Sequence, residues 1–428
     1  MKIWQETICR VRDTKNGASP LWCYGSTAIM RLGDKVVATV PANDNNVLPL
    51  ADRHIELYAK TGDGPWQKIW HDMRFTREPA PILRRDDQSI WISLNPSEKD
   101  VPIGQGIEYG PAIPTLALFD LTKQGEPTLE RLPLGDYYFM DHSYRGMAID
   151  RQTGDLFITW QYVEGEGKHC FLLRTPKGDV TGKLEFPVRA CYHNLAVKDK
   201  KAYVLAISDI CEPVAEWAEY KYAKTGVRWD YDFRNLYFTY CNDITTGEFA
   251  PAALIDSREE TCGQIRNLDL FVADSGVCYL VYEAKRIWHD FMRDRFFPEV
   301  RFDTVLTLCA VKDGNVLWRK ELDAERETDD RQNTKASYSA AFFQRADGSL
   351  GLLFNKTGSN GTGMADGWYL SRGELAEYGN PAFSRLDVSC PPNGFHTARP
   401  RCGALPSDVL DVLTVDGEEV VYLRIPAV

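Results

Sequence analysis

No stretch of this chain approaches the roughly eighteen consecutive apolar residues that a membrane-spanning helix needs. Its start, MKIWQETICR, holds no apolar run of a secretory leader. The sequence therefore reads as cytoplasmic, or as extracellular or periplasmic if a leader has been removed. The eleven cysteines stand singly without a CxxC pair, which excludes a zinc ribbon, a dithiol redox motif and a legible disulfide framework. Buried reduced thiols are the expectation. A basic excess is lacking as well: 61 acids against 50 bases leave a net charge of -11 and a pI near 5.3. Such a chain offers no general basic face to a phosphate backbone, so neither nucleic acid nor a membrane is expected as partner. An anionic sugar stays open, because it asks only for a local group of arginines. GxSxG, Walker, GxGxxG and HExxH motifs are absent, and so is the sialidase Asp-box.

What the chain does have is 44% hydrophobic and 12% aromatic residues without a low-complexity tract. These are arranged as turn signals flanked by apolar strands: Gly33-Asp34 before KVVATV, Asp86-Asp87 before SIWISL, Gly154-Asp155 before LFITW, and Asp199 before KAYVLAI. Asp274 to Gly276 before VCYLVY, Asp347-Gly348 before LGLLF, and Pro406 to Asp408 before VLDVLTV complete the series. Each unit leaves room for two further strands, as HIELYAK and WQKIWHD show in the first. Seven such units predict an all-β fold, a seven-bladed β-propeller of four-stranded antiparallel blades occupying residues 1–428 as one domain. The last unit is one strand short, and Lys2 to Val11 can supply it, closing the ring and removing exposed sheet edges. Two stacked β-sandwiches are the alternative, which leaves the spare strand at the far end unexplained. Two insertions, at about 211–235 and 285–300, are rich in aromatic residues and are expected on one face, as groove walls, as local satellite cores or as a dimer contact.

In a propeller the innermost strands line the axis, so polar residues opening each first strand converge on one mouth. Aligning the units collects Trp22, Cys23 and Tyr24; Arg77 and Glu78; Asp141, His142, Tyr144 and Arg145; Arg189, Tyr192, His193 and Asn194. Gln264, Arg266 and Asn267, then Lys335, Ser337 and Tyr338, then His396, Arg399 and Arg401 come from the remaining units. Histidine, tyrosine and arginine together in an acidic protein suit an anionic sugar. Of Tyr192 and His193, one should face the channel and the other pack between blades, and a one-residue slip exchanges them. Arg399 and Arg401 read equally as a substrate clamp or as ion pairs joining blade seven to blade one. A paired-carboxylate glycosidase would draw on Glu78, Asp141 and Glu283.

The segment DHSYRGMAIDRQTGDLFITW resembles the blade signature of the BNR-type propeller family that contains the ulvan lyases and the enzymes acting on rhamnose linked to glucuronic acid. The closing segment RPRCGALPSDVLDVLTVDGEEVVYLRI is similar to the last blade of that family. The resemblance implies β-elimination at a uronic acid in an acidic oligo- or polysaccharide, with no cofactor required for catalysis and at most a structural metal ion. Carried over by position, it implies His142 and Tyr192 as the acid–base pair, with His193 beside them. Tyr144, Arg145, Arg189, Asn194, Arg266, Asn267, His396 and Arg399 are the implied substrate-binding residues. The family's second histidine falls near Tyr162, where none stands, and its carboxylate-binding arginine falls near Ser208 and is replaced, leaving Arg189, Arg266 or Lys285 for that task. An α-L-rhamnosidase-like hydrolase and a non-catalytic glycan-binding propeller are the rival readings.

Overall fold

The computed structural model describes residues 2–12, 21–22, 26–43, 53–96, 112–133, 145–161, 169–330, 332–375 and 381–427. They form seven four-stranded antiparallel sheets and one two-stranded ribbon. Their inner strands are Ile29–Leu32, Ile82–Arg84, Gly146–Ile149, Ala190–Lys198, Gln264–Val272, Ser337–Gln344 and Phe395–Thr397. Each touches the next and the last touches the first, so the sheets stand as blades of a closed ring. This is the β-propeller expected, and the sandwich alternative is excluded.

All seven turn signals join the first to the second strand of a blade. Where the turn needs left-handed backbone, glycine commonly supplies it, as at Gly154 (φ 74°), while Asp199 and Lys200 adopt it at φ 50° and 61° without one. The last blade is completed from the other terminus: Trp4–Arg10 pairs with Glu419–Pro426, antiparallel, from Trp4 opposite Arg424 to Arg10 opposite Glu419. Each blade buries both faces of its inner strands against its neighbours, so the cores lie between blades. Leu205 and Phe238 of blade four meet Leu270 and Leu280 of blade five in one such layer. Outer strands are wet, as Thr128–Arg131 illustrates with every residue exposed.

The axis is closed by chain rather than left as a pore. After Phe395–Thr397 the backbone leaves its sheet, and a short 3-10 turn, Pro400–Cys402, packs against the inner strands of blades two to six. Gly403, at φ 87°, is required there: a Cβ would stand 2.6 Å from the Arg84 carbonyl oxygen. The plug carries Arg399 and Arg401 to Asp269 on the blade-five inner strand. Arg401 donates through Nε at 2.9 Å and Arg399 through Nη1 at 3.3 Å. Arg401 also donates to Asn194 Oδ1 at 3.1 Å and to the Leu195 carbonyl at 3.3 Å. These arginines thus tie blade seven to blades four and five across the axis, correcting the expected link to blade one.

Both insertions leave the second strand of a blade at the end where the inner strands begin, since Ala190 pairs with Ser208 and Gln264 with Lys285. They share one face of the ring, called the top here. The blade-four insertion is a ribbon, Ile210–Cys211 against Tyr231–Asp232, carrying helix α1 (Ala215–Thr225). The blade-five insertion carries helix α2 (Asp290–Phe296). The helices pack on one another through Trp217 with Phe297 (5.3 Å between centroids) and Tyr220 with Phe296 (5.5 Å). At the base of the first, buried Arg234 meets Glu212, Asp232 and Glu259, and Lys221 meets Glu212 and Asp230. Wall and satellite core are therefore one structure.

Candidate functional site

At the top end the inner strands of blades four and five bring Arg189, Tyr192, Arg266 and their neighbours to one mouth. Tyr192 sits in a β-bulge, where the pairing slips between Cys191 and Asn194, with its backbone at φ 57°. The bulge decides the question left open by alternation. Tyr192 turns its ring toward Phe233 (5.9 Å) and Trp22 (6.3 Å) at the mouth. His193 turns the other way, between blades three and four, with Nδ1 3.1 Å from Thr159 Oγ1 and Nε2 3.1 Å from the Ala190 carbonyl. It is 1% exposed and its ring lies 4.2 Å from that of His169, tilted by 54°. Burial pushes its pKa down to about 4. The expected catalytic place for His193 is thereby corrected: it is a packing residue.

Several implied substrate contacts are likewise interior. Arg145 is buried and donates to the Pro79 carbonyl (3.0 Å), to Ser93 Oγ (3.0 Å) and to the Ser93 carbonyl, tying blade three to blade two. Asn267 donates to the Tyr192 carbonyl at 2.6 Å and so holds the bulge in place. Arg399 belongs to the axial plug, and Asn194, on the blade-four inner strand, accepts from its Arg401. His396 is 4% exposed, and burial beside Arg399 pushes its pKa down to about 3. His142 and Tyr144, with Cys23, Tyr24 and Asp141, lie outside the described residues.

Three cations do stand at the mouth. Arg189 pairs with buried Asp209 at 3.0 Å and lies 5.1 Å over the Tyr231 ring. Arg266 donates to Ser337 Oγ at 2.7 Å and stands 3.6 Å from Glu283. Lys285, opposite Gln264 on the second strand, is 4.0 Å from Glu283 and lies 4.9 Å over Trp288. Burial pushes the Lys285 pKa down and Glu283 pulls it back up. Glu283 itself is fixed by the Tyr338 backbone N–H at 2.6 Å. This carboxylate collects cations around itself and is spoken for, as Asp209 is. Sequence reasoning passed over Asp209, Tyr231 and Trp288. The one signal available was that Asp209 and Lys285 end buried second strands where the insertions begin.

Among the described residues, no group of three or more histidine, cysteine, aspartate or glutamate side chains could hold a metal ion. The ten described cysteines are free thiols, eight of them buried. No helix among the described residues is long and apolar enough to cross a membrane.

No family model matches the chain, and no curated protein matches it. Among solved structures it is similar to an ulvan lyase of a new polysaccharide lyase family, at 11% identity over 99% of this chain and 96% of that one, with a TM-score of 0.53. It is similar also to a puromycin-hydrolysing peptidase of Mycobacterium tuberculosis, at 7% identity over 98% of this chain and 55% of that one, with a TM-score of 0.51. At such identities the likeness is one of fold. That a lyase and a peptidase both carry it shows why the site has to decide function.

Proposed function

We propose that the protein is a polysaccharide lyase that cleaves an acidic, uronate-containing glycan of the rhamnose–glucuronate type by β-elimination at the top mouth. The observation that carries this reading is that Arg189 beside Asp209, and Arg266 and Lys285 beside Glu283, stand at the same end of adjoining blades as Tyr192, in a protein of net charge -11. Removing the proton beside a uronate carboxylate requires that carboxylate's charge to be neutralised first. A guanidinium does this best because it can donate two parallel hydrogen bonds. A base then takes the proton and an acid protonates the departing glycosidic oxygen. Tyr192 and His142 fill these two roles, with Arg189 or Arg266 on the carboxylate and Lys285 supporting it.

The fold likeness to an ulvan lyase agrees with this reading without deciding it. The test is to incubate the full chain with rhamnose- and glucuronate-containing polysaccharides and follow the ultraviolet absorbance of an unsaturated uronate. The His142→Ala variant is expected to lose that signal. Sugar release with addition of water and no double bond would replace the lyase by a hydrolase. Binding without turnover would leave a glycan-binding propeller.

A further inference from the structure

Four aromatic side chains cross the top mouth in one unbroken strip. Trp22 and Tyr192 have centroids 6.3 Å apart, Tyr192 and Phe233 5.9 Å, and Phe233 and Tyr231 6.5 Å. The strip runs from the segment leading into blade one to the ribbon of the blade-four insertion. Its two ends are open to solvent and its middle is not: Tyr231 is 38% exposed, Phe233 and Trp22 are half-buried, and Tyr192, which meets Trp22 and Phe233 edge to face, is 8% exposed.

A guanidinium stands at each end. Arg189 lies over Tyr231 at 5.1 Å, and Arg77 lies over Trp22 at 5.2 Å. The two differ in their partners. Arg189 is neutralised by Asp209 at 3.0 Å. Arg77, by contrast, holds Nε and Nη1 away from solvent with no hydrogen-bond partner among the described residues. Sheltered donors left unmatched in this way destabilise the fold unless something accepts from them. The folded protein therefore keeps an anion-seeking group at the far end of an aromatic track.

The geometry points to an extended subsite: the strip seats successive sugar units of a linear acidic glycan, and the Arg77–Trp22 pair takes a second acidic group, on a different sugar from the one held near Arg189. The inference rests on the glycan reading above and deepens it, because a site of this length acts within a chain rather than on its terminal unit. Aromatic faces stack on the apolar faces of pyranose rings, and the cation beside each terminal ring selects for charge.

The test is calorimetric titration of the full-length protein with rhamnose–glucuronate oligosaccharides from the disaccharide upward, with turnover followed in parallel. Arg77→Gln is expected to weaken binding of the longer chains roughly tenfold, the scale of one lost charge-assisted hydrogen bond, and to leave the shortest unaffected. Arg77→Lys is expected to restore part of the loss, and Trp22→Ala to reproduce it. Equal loss at every chain length, or no loss at any, overturns the proposal. So does equal loss toward an uncharged oligosaccharide of the same length. If the wild type binds the longer chains without cleaving them, the lyase reading falls while the length dependence at Arg77 still stands. If the wild type cleaves them and Arg77→Gln behaves identically, the subsite falls and the lyase reading stands. If the wild type binds no acidic glycan, both are overturned.

Discussion

The axial plug and the top mouth are both built around arginine, yet they use it in opposite ways. In the plug Arg399 and Arg401 are 4% and 5% exposed, share one carboxylate, and are surrounded by the inner strands of neighbouring blades. At the mouth the side chains of Arg189 and Arg266 keep 19% and 22% of their surface, and Arg189 lies beside the exposed Tyr231 ring. The difference teaches that convergence on a propeller axis is not by itself a sign of function. A buried charge ties blades together when its partner is buried with it, and removing that partner is expensive. At the mouth the carboxylates Asp209 and Glu283 are buried as Asp269 is, and only the arginines keep part of their surface, so an anion can approach them without displacing the pair.

The sharpest way to break this contrast is at Asp269. Asp269→Ala strands two buried guanidinium groups and the Phe342 N–H that donates to Oδ2 at 2.9 Å. A loss of about 3–5 kcal/mol is expected in urea unfolding. An unchanged midpoint would mean that the plug holds nothing together.

Acid tests the same interior from another side. The folded state holds His193 neutral, with its pKa lowered from 6.5 to about 4 by burial. Between those values the unfolded chain binds the proton and the folded chain does not. Stability is therefore fully present above pH 6.5 and falls as the pH drops toward 4, by on the order of 3 kcal/mol. His193→Gln should flatten that part of the urea midpoint–pH curve, whereas a mouth variant should leave it unchanged.

At the mouth the effects should appear in turnover rather than in folding. Tyr192→Phe keeps the ring against Phe233 and Trp22 while removing the hydroxyl. A drop of roughly a hundredfold in kcat with an unchanged melting temperature is expected. The smallest effect is set for Arg266→Ala, with roughly tenfold weaker binding of an acidic oligosaccharide and a smaller loss of stability than Asp269→Ala, because Lys285 and the Tyr338 N–H still face Glu283. A reversal, with Arg266→Ala unfolding the protein and Asp269→Ala only slowing it, would exchange the roles given to the two regions.

The site was less legible in the sequence than the blades were. The polar residues opening each first strand, such as Arg189, Tyr192 and Arg266, could be collected by aligning the repeats, because position within a blade is a local property. Which of them faces the mouth could not. Tyr192 and His193 are adjacent, and only the bulge, held by Asn267 from the next blade, gives each its direction. Arg145 and Arg266 look alike in the sequence, but one meets backbone carbonyls under blade two and the other a serine hydroxyl at the surface. Asp209 and Trp288 escaped notice because the first falls in the connection just before one insertion and the second lies inside the other, where no repeat supplies a comparison.

Alternation of apolar residues, turn chemistry at seven sites and a spare strand at one terminus act over a few residues at a time. They were enough to determine the blades, their number and the closure of the ring. Which charges are buried and which stay available depends on contacts between segments far apart in the chain, such as Arg401 with Asp269 and Asn194. Those contacts exist only once the ring has closed around the plug. Tertiary structure alone could therefore decide that guanidinium groups of one chemical kind serve as buried braces on the axis and stand part-exposed at its mouth.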